Sequence, residues 1–149
     1  MDIILKRSIE WLDRLIAFDT TSRLSNLDLI SDIEKYMNEL GVPTRLTHDK
    51  DKTKANLWCT IGPQDIGGVV LSGHTDVVPI DGQEWTKTPF RMSEESGKLF
   101  GRGTSDMKGF CAIALAMAPE MKSRDLKVPI HFAFSFDEEV GCVGVRHLI

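Results

Sequence analysis

Five side chains in this sequence carry the groups that metal-assisted or acid–base chemistry requires: His74, Asp76, Asp106, Glu138 and Glu139. His74 closes an apolar run that begins at Val69, and Asp76 follows two positions later. Residues i and i+2 of an extended chain share a face, so an imidazole and a carboxylate at this spacing can meet. A carboxylate that takes one ring N–H fixes the tautomer and leaves the other nitrogen free for a metal. An isolated His-x-Asp is equally well a loop pair, so its meaning depends on the other three residues.

Asp106 stands in a glycine-rich turn, and Glu138 and Glu139 follow an alternating apolar segment; the three clusters lie 32 and 33 residues apart. About 30 residues make up a strand–helix–strand unit, so such spacings permit successive returns to one edge of a sheet. Singly, Asp106 reads as a turn residue and the glutamates as a solvated pair favourable to a helix dipole. Jointly, one imidazole and several carboxylates without thiolates form the donor set of a hydrolytic zinc or similar divalent site, because crowded carboxylates need cations or protons to neutralise them. A carboxylate can bridge two metals ~3.5–4 Å apart, and Asp106 is the candidate. One glutamate would bind metal while its neighbour shuttles a proton; the spacing alone leaves open which does which.

The elements that would position these residues alternate. Leu5, Ile9, Leu12 and Ile16 form one helical stripe, and Leu27, Ile30, Ile33, Met37 and Leu40 a second, with a capping box at Ser25–Asp28 and Gly41 as the C-terminal cap. Strands are predicted over 43–47, 56–61, 69–71, 98–100 and 128–136, a buried helix over 110–121, and a last helix from about 143 onward. The run 48–54 reads as a surface loop, and 81–90, with Trp85 and Phe90, as a packed loop or a wall of the site. This order predicts an α/β domain with three layers and a largely parallel central sheet, whose ligands gather beyond the carboxyl ends of the strands.

The 149 residues, 42% hydrophobic and 27% charged, suffice for one globular core. A net charge of -4 with no basic run argues against nucleic acid or an anionic membrane as partner and favours a small molecule. Lys6, Arg7, Glu10 and Asp13 interrupt any signal-peptide core, and no stretch approaches ~20 apolar residues, so a cytoplasmic protein is expected. Cys59, Cys111 and Cys142 are unpaired in spacing and read as small buried residues, while His48, His131 and His147 read as solvated or packed.

The segments 74–79 (His-Thr-Asp-Val-Val-Pro), 101–109 (Gly-Arg-Gly-Thr-Ser-Asp-Met-Lys-Gly) and 137–141 (Asp-Glu-Glu-Val-Gly) resemble the three N-terminal signatures of the co-catalytic zinc amidohydrolases and exopeptidases. Ser22–Arg23, Ser25–Leu27, Asp81–Trp85, Pro89–Phe90, Ser105 and Gly141–Gly144 are most similar to the acetylornithine deacetylase branch, with desuccinylases, aminoacylases and exopeptidases as near alternatives. The resemblance implies a zinc-exopeptidase-like fold and two zinc ions per full-length subunit, with cobalt as an alternative. His74 and Glu139 would each bind one ion, Asp106 would bridge both, Asp76 would orient His74, and Glu138 would be the general base. It further implies hydrolysis of N2-acetyl-L-ornithine to acetate and L-ornithine in arginine biosynthesis, and a cis peptide at Asp106–Met107. Two further ligands and a lid domain that forms a homodimer are expected outside residues 1–149, which would make this stretch the N-terminal portion of the catalytic domain. Residues 1–149 alone would then have an incomplete metal site and no activity.

Overall fold

The computed structural model describes residues 2–149. Helix α1, Ile3–Ile16, starts where the Asp2 carboxylate accepts a hydrogen bond from the Ile4 amide at 3.0 Å. It buries Ser8, Trp11, Leu12, Leu15 and Ile16. The expected stripe is displaced at its beginning, where Leu5 is exposed. Helix α2, Leu27–Glu39, buries Leu29, Ile30, Ile33 and Met37, and Gly41 takes the left-handed conformation, φ 68°, that a helix C-terminus uses.

The expected capping box does not form. Asn26 occupies the N-cap without a side-chain cap bond, because its amide is committed elsewhere: it pairs with both backbone groups of Ala55 and donates to Thr75 Oγ1.

Four strands build the main sheet in the order β1 (Thr44–His48), β2 (Ala55–Ile61), β6 (Ile130–Ser135), β3 (Val69–His74). The short link between β1 and β2 enforces an antiparallel pair, and β6 is antiparallel to β2. Only β3 and β6 run parallel, joined by the long crossover through helix α3, Lys108–Lys122. The α/β architecture with a central sheet is therefore as expected, and the sheet itself is partly parallel. A small hairpin, β4 (Ser93–Glu95) with β5 (Lys98–Phe100), lies on the crossover, and its first strand left no periodic signal in so short a polar run.

Leu57, Cys59 and Ile61 oppose Phe134, Phe132 and Ile130, and this face joins all three helices in one core. Full burial of each Phe contributes ~1.5–3 kcal/mol. Among the described residues the other face of the sheet carries no α-helix. At one end it is met by a 3-10 turn, Gly144–His147, in place of the expected helix, and Asn56 Nδ2 donates to the Gly144 carbonyl there at 2.8 Å. Gly144 has no room for a side chain, since a Cβ would lie 2.1 Å from the Phe136 carbonyl oxygen. No helix among the described residues is long and apolar enough to cross a membrane.

Candidate metal centre

The parallel register sets His74 beside Ser135, so the chain leaves β3 and β6 on the same side of the sheet. Asp76 follows the first strand and Glu138–Glu139 the second. Gly73 lets β3 lie against α3, because a Cβ there would come within 2.9 Å of Cys111 Sγ. That contact brings in the turn before α3, which carries Asp106. The Asp106–Met107 peptide is cis, at the bond singled out by the sequence resemblance.

One donor atom from each of His74, Asp106 and Glu139 lies within 4.8 Å of the others. His74 is 4% exposed, whereas the Asp106 side chain is 75% exposed and reaches inward from the surface. His74 Nε2 lies 3.1 Å from Asp106 Oδ1 and 3.6 Å from Glu138 Oε2. All five residues singled out in the sequence thus meet at one place.

Asp76 holds this centre together, although not only in the expected way. The closest partner of His74 Nδ1 is the Asp76 backbone carbonyl at 2.9 Å; the carboxylate Oδ1 stands at 3.4 Å. That carboxylate accepts from Ser22 Oγ at 2.7 Å, the Glu138 amide at 3.0 Å and the Glu139 amide at 3.2 Å. It therefore fixes the backbone that presents the two glutamates, besides facing the imidazole. Burial opposes its charge, but the His74 ring, Ser22 and the two amides outweigh that and hold its pKa below the ordinary carboxylate value.

Burial likewise opposes a proton on His74, yet hydrogen bonds to Asp76 and Asp106 and the Asp76 charge raise its pKa to about 9. Burial and the Asp106 charge push Glu139 up, with His74 pulling in the opposite direction. Four carboxyl groups around one imidazole form an excess of negative charge that a divalent cation would neutralise, and the nitrogen–oxygen donor set suits zinc or a similar ion.

The neighbouring residues define two cavities. One of about 270 Å³ is lined by Ser72, His74, Met107, Ser135, Glu138 and Cys142. Another of about 280 Å³ is lined by Arg102, Thr104, Ser105, Asp106 and Glu139. Cys142 is exposed here, contrary to its reading as a buried residue, because the chain turns outward at 141–143; Cys59 and Cys111 are buried. In the loop 81–90, Trp85 lies under the Arg102 guanidinium at 5.0 Å. His131 stacks on Trp58 and binds Thr60 Oγ1 at 2.9 Å, and His147 stacks on Phe136, so neither joins the centre.

Three supporting residues have no signature spacing to the centre: Thr20, Asn26 and Lys54. Thr20 Oγ1 donates to the Thr75 carbonyl at 2.5 Å, Asn26 holds the Thr75 hydroxyl at 2.9 Å, and Lys54 pairs with Asp137 at 2.5 Å. Only Asn26 gives a signal, a polar residue at a helix start, and in the sequence it is indistinguishable from a cap.

Comparison with known proteins finds the same fold and a family. The chain is 39% identical over 124 residues to an acetylornithine deacetylase from Shigella sonnei, covering 83% of this chain and 32% of that protein. It superposes with TM-score 0.76 and 24% identity on an M20 family metallo-carboxypeptidase from Sulfolobus solfataricus, covering 100% of this chain and 34% of the other. A dinuclear metal-binding peptidase of the M20 family from Bacillus subtilis gives TM-score 0.65 at 22% identity, over 97% of this chain and 38% of that one. The chain thus spans about a third of the length of these relatives. Residues 70–149, which contain His74, Asp106, Glu138 and Glu139, match the family model, and the chain belongs to Peptidase family M20/M25/M40.

Proposed function

We propose that the protein is a metal-dependent amidohydrolase that cleaves N2-acetyl-L-ornithine to acetate and L-ornithine. The observation that carries the chemistry is the convergence of His74, Asp106 and Glu139 within 4.8 Å, with Glu138 3.6 Å from the same imidazole. The substrate assignment is supported by the 39% identical deacetylase. His74, Asp106 and Glu139 would hold the zinc. Bound there, the cations would polarise the amide carbonyl and make water acidic enough to attack at neutral pH.

Glu138 is the general base. It takes a proton as water adds to the amide carbon and returns it to the leaving nitrogen as the C–N bond breaks, giving acetate and an amine. Asp76 keeps His74 turned toward the metal and holds the backbone of the glutamate pair. Three protein donors fall short of two complete zinc shells. The proposal therefore calls for further ligands, and the family resemblance adds to it a lid domain that forms a homodimer. A role in arginine biosynthesis and a cytoplasmic location belong to the same proposal.

The test is amide hydrolysis by the zinc-loaded full-length protein and its Glu138→Ala variant. Loss of about 10²–10⁴-fold in kcat with metal still bound is expected. Undiminished turnover would remove Glu138 from its assigned role, and an inert wild-type protein with zinc bound would overturn the hydrolase reading.

A further inference from the structure

Lys54 lies outside all three motifs, just before β2, yet its ammonium group joins two segments of the centre. Nζ stands 2.5 Å from Asp137 Oδ1 and donates to the Ser22 carbonyl at 2.5 Å. The pair is largely buried, with side chains 15% and 16% exposed. Among the described residues no other cationic side chain forms an ion pair with Asp137.

Both partners of Lys54 are attached to Asp76. Ser22 donates its hydroxyl to the Asp76 carboxylate. Asp137 precedes the two glutamates whose amides bind that same carboxylate, and it takes a positive φ of 53° that turns those amides back toward it. The contacts therefore close a ring: Lys54 to Ser22, Ser22 to Asp76, Asp76 to the 138–139 backbone, and through Asp137 back to Lys54. The root of the lysine is firm, since β2 is paired on both sides, with β1 and with β6.

We infer that Lys54 is a positioning residue for the metal-binding carboxylates, acting through Asp137 and Ser22. The assignment rests on the metal-centre reading proposed above. An ion pair that served only the fold would not need to share its ammonium with the carbonyl of the residue that holds Asp76. Loss of the ammonium opens the ring at the point that fixes the glutamate backbone, and leaves Asp137 buried without its counter-charge.

The experiment compares the full-length wild-type protein with its Lys54→Met, Lys54→Arg and Asp137→Asn variants, using two readouts. The first is amide hydrogen exchange at Glu138 and Glu139 without added metal. The second is titration with cobalt(II) alone, followed by its visible absorption. Lys54→Met is expected to speed exchange at both amides at least tenfold relative to the core amides of β2, and to weaken cobalt affinity by about 10–100-fold, as loss of a supporting contact does. Lys54→Arg is expected to restore both, and Asp137→Asn to reproduce the loss should Lys54→Met fail to fold. Unchanged exchange at 138–139 and unchanged cobalt affinity in Lys54→Met or Asp137→Asn would overturn the inference. If the wild-type protein bound no cobalt, the metal-centre reading would fall, while the exchange measurement would still decide whether Lys54 fixes the glutamate backbone.

Discussion

In the proposed centre, His74 is the residue at which proton and metal would compete. Its pKa of about 9, against an ordinary value of 6.5, means the ring is protonated at neutral pH and must release that proton to ligate. Metal affinity should therefore rise roughly tenfold per pH unit until about 9, measurable as proton release by calorimetry in buffers of different ionisation enthalpy. Stability without metal should move in the opposite direction. A base with a raised folded-state pKa stabilises fully below its unfolded value, so this contribution is present below 6.5 and is lost as pH rises through about 9. Lys108 has the contrary sign. Burial lowers its pKa to about 8 from 10.5, so the cost of burying its charge is relieved as pH rises from about 8 toward 10.5. Urea unfolding of wild type and His74→Gln from pH 6 to 11 checks both: the decline between 6.5 and 9 should vanish in the variant, and the rise above 8 should remain.

Among the secondary elements, α3 sets the depth of the centre. Lys108, 1% exposed, reaches back from the first turn of α3 to donate to the Leu15 and Phe18 carbonyls at the end of α1, at 2.9 and 2.8 Å. Opposite α3, Gly73 permits close approach of β3. Gly73→Ala would place a methyl 2.9 Å from Cys111 Sγ and 3.2 Å from the Phe110 ring. Such overpacking costs about 1–3 kcal/mol. Thermal unfolding should show that loss, and Gly73→Ala combined with Cys111→Ala should recover much of it, because the sulfur that clashes is gone.

What the sequence makes legible follows from the range over which its patterns act. His74, Asp106 and Glu139 stand out because each ends or closely follows a recognisable strand or turn, and helical stripes expose α2 and most of α1. Thr20, Asn26 and Lys54 do not, because their partners lie 29 to 83 positions away and no period relates them. The same limit explains Ser25–Asp28: the local pattern reads as a capping box, but Asn26 finds better partners in Ala55 and Thr75. Sheet direction is legible only where a link is very short, as between β1 and β2, or long enough to contain a helix, as between β3 and β6.

At the scale of the whole molecule, β3 is an edge strand of the described sheet, with Val69 and Val70 exposed at the end opposite His74. The parallel pairing of β3 with β6 also governs when the centre can exist. Asp76 and the Glu138 amide are 62 positions apart in the chain and meet only through that pairing. Long-range parallel pairings form late, because the chain between them must be ordered first. A refolding chain should therefore acquire its helical signal well before it can capture cobalt, which stopped-flow circular dichroism and metal absorption would resolve as separate phases. Coincident phases would place the β3–β6 junction in the folding nucleus. In a newly made chain, metal capture would then report completed folding, and ions present earlier would meet only scattered carboxylates.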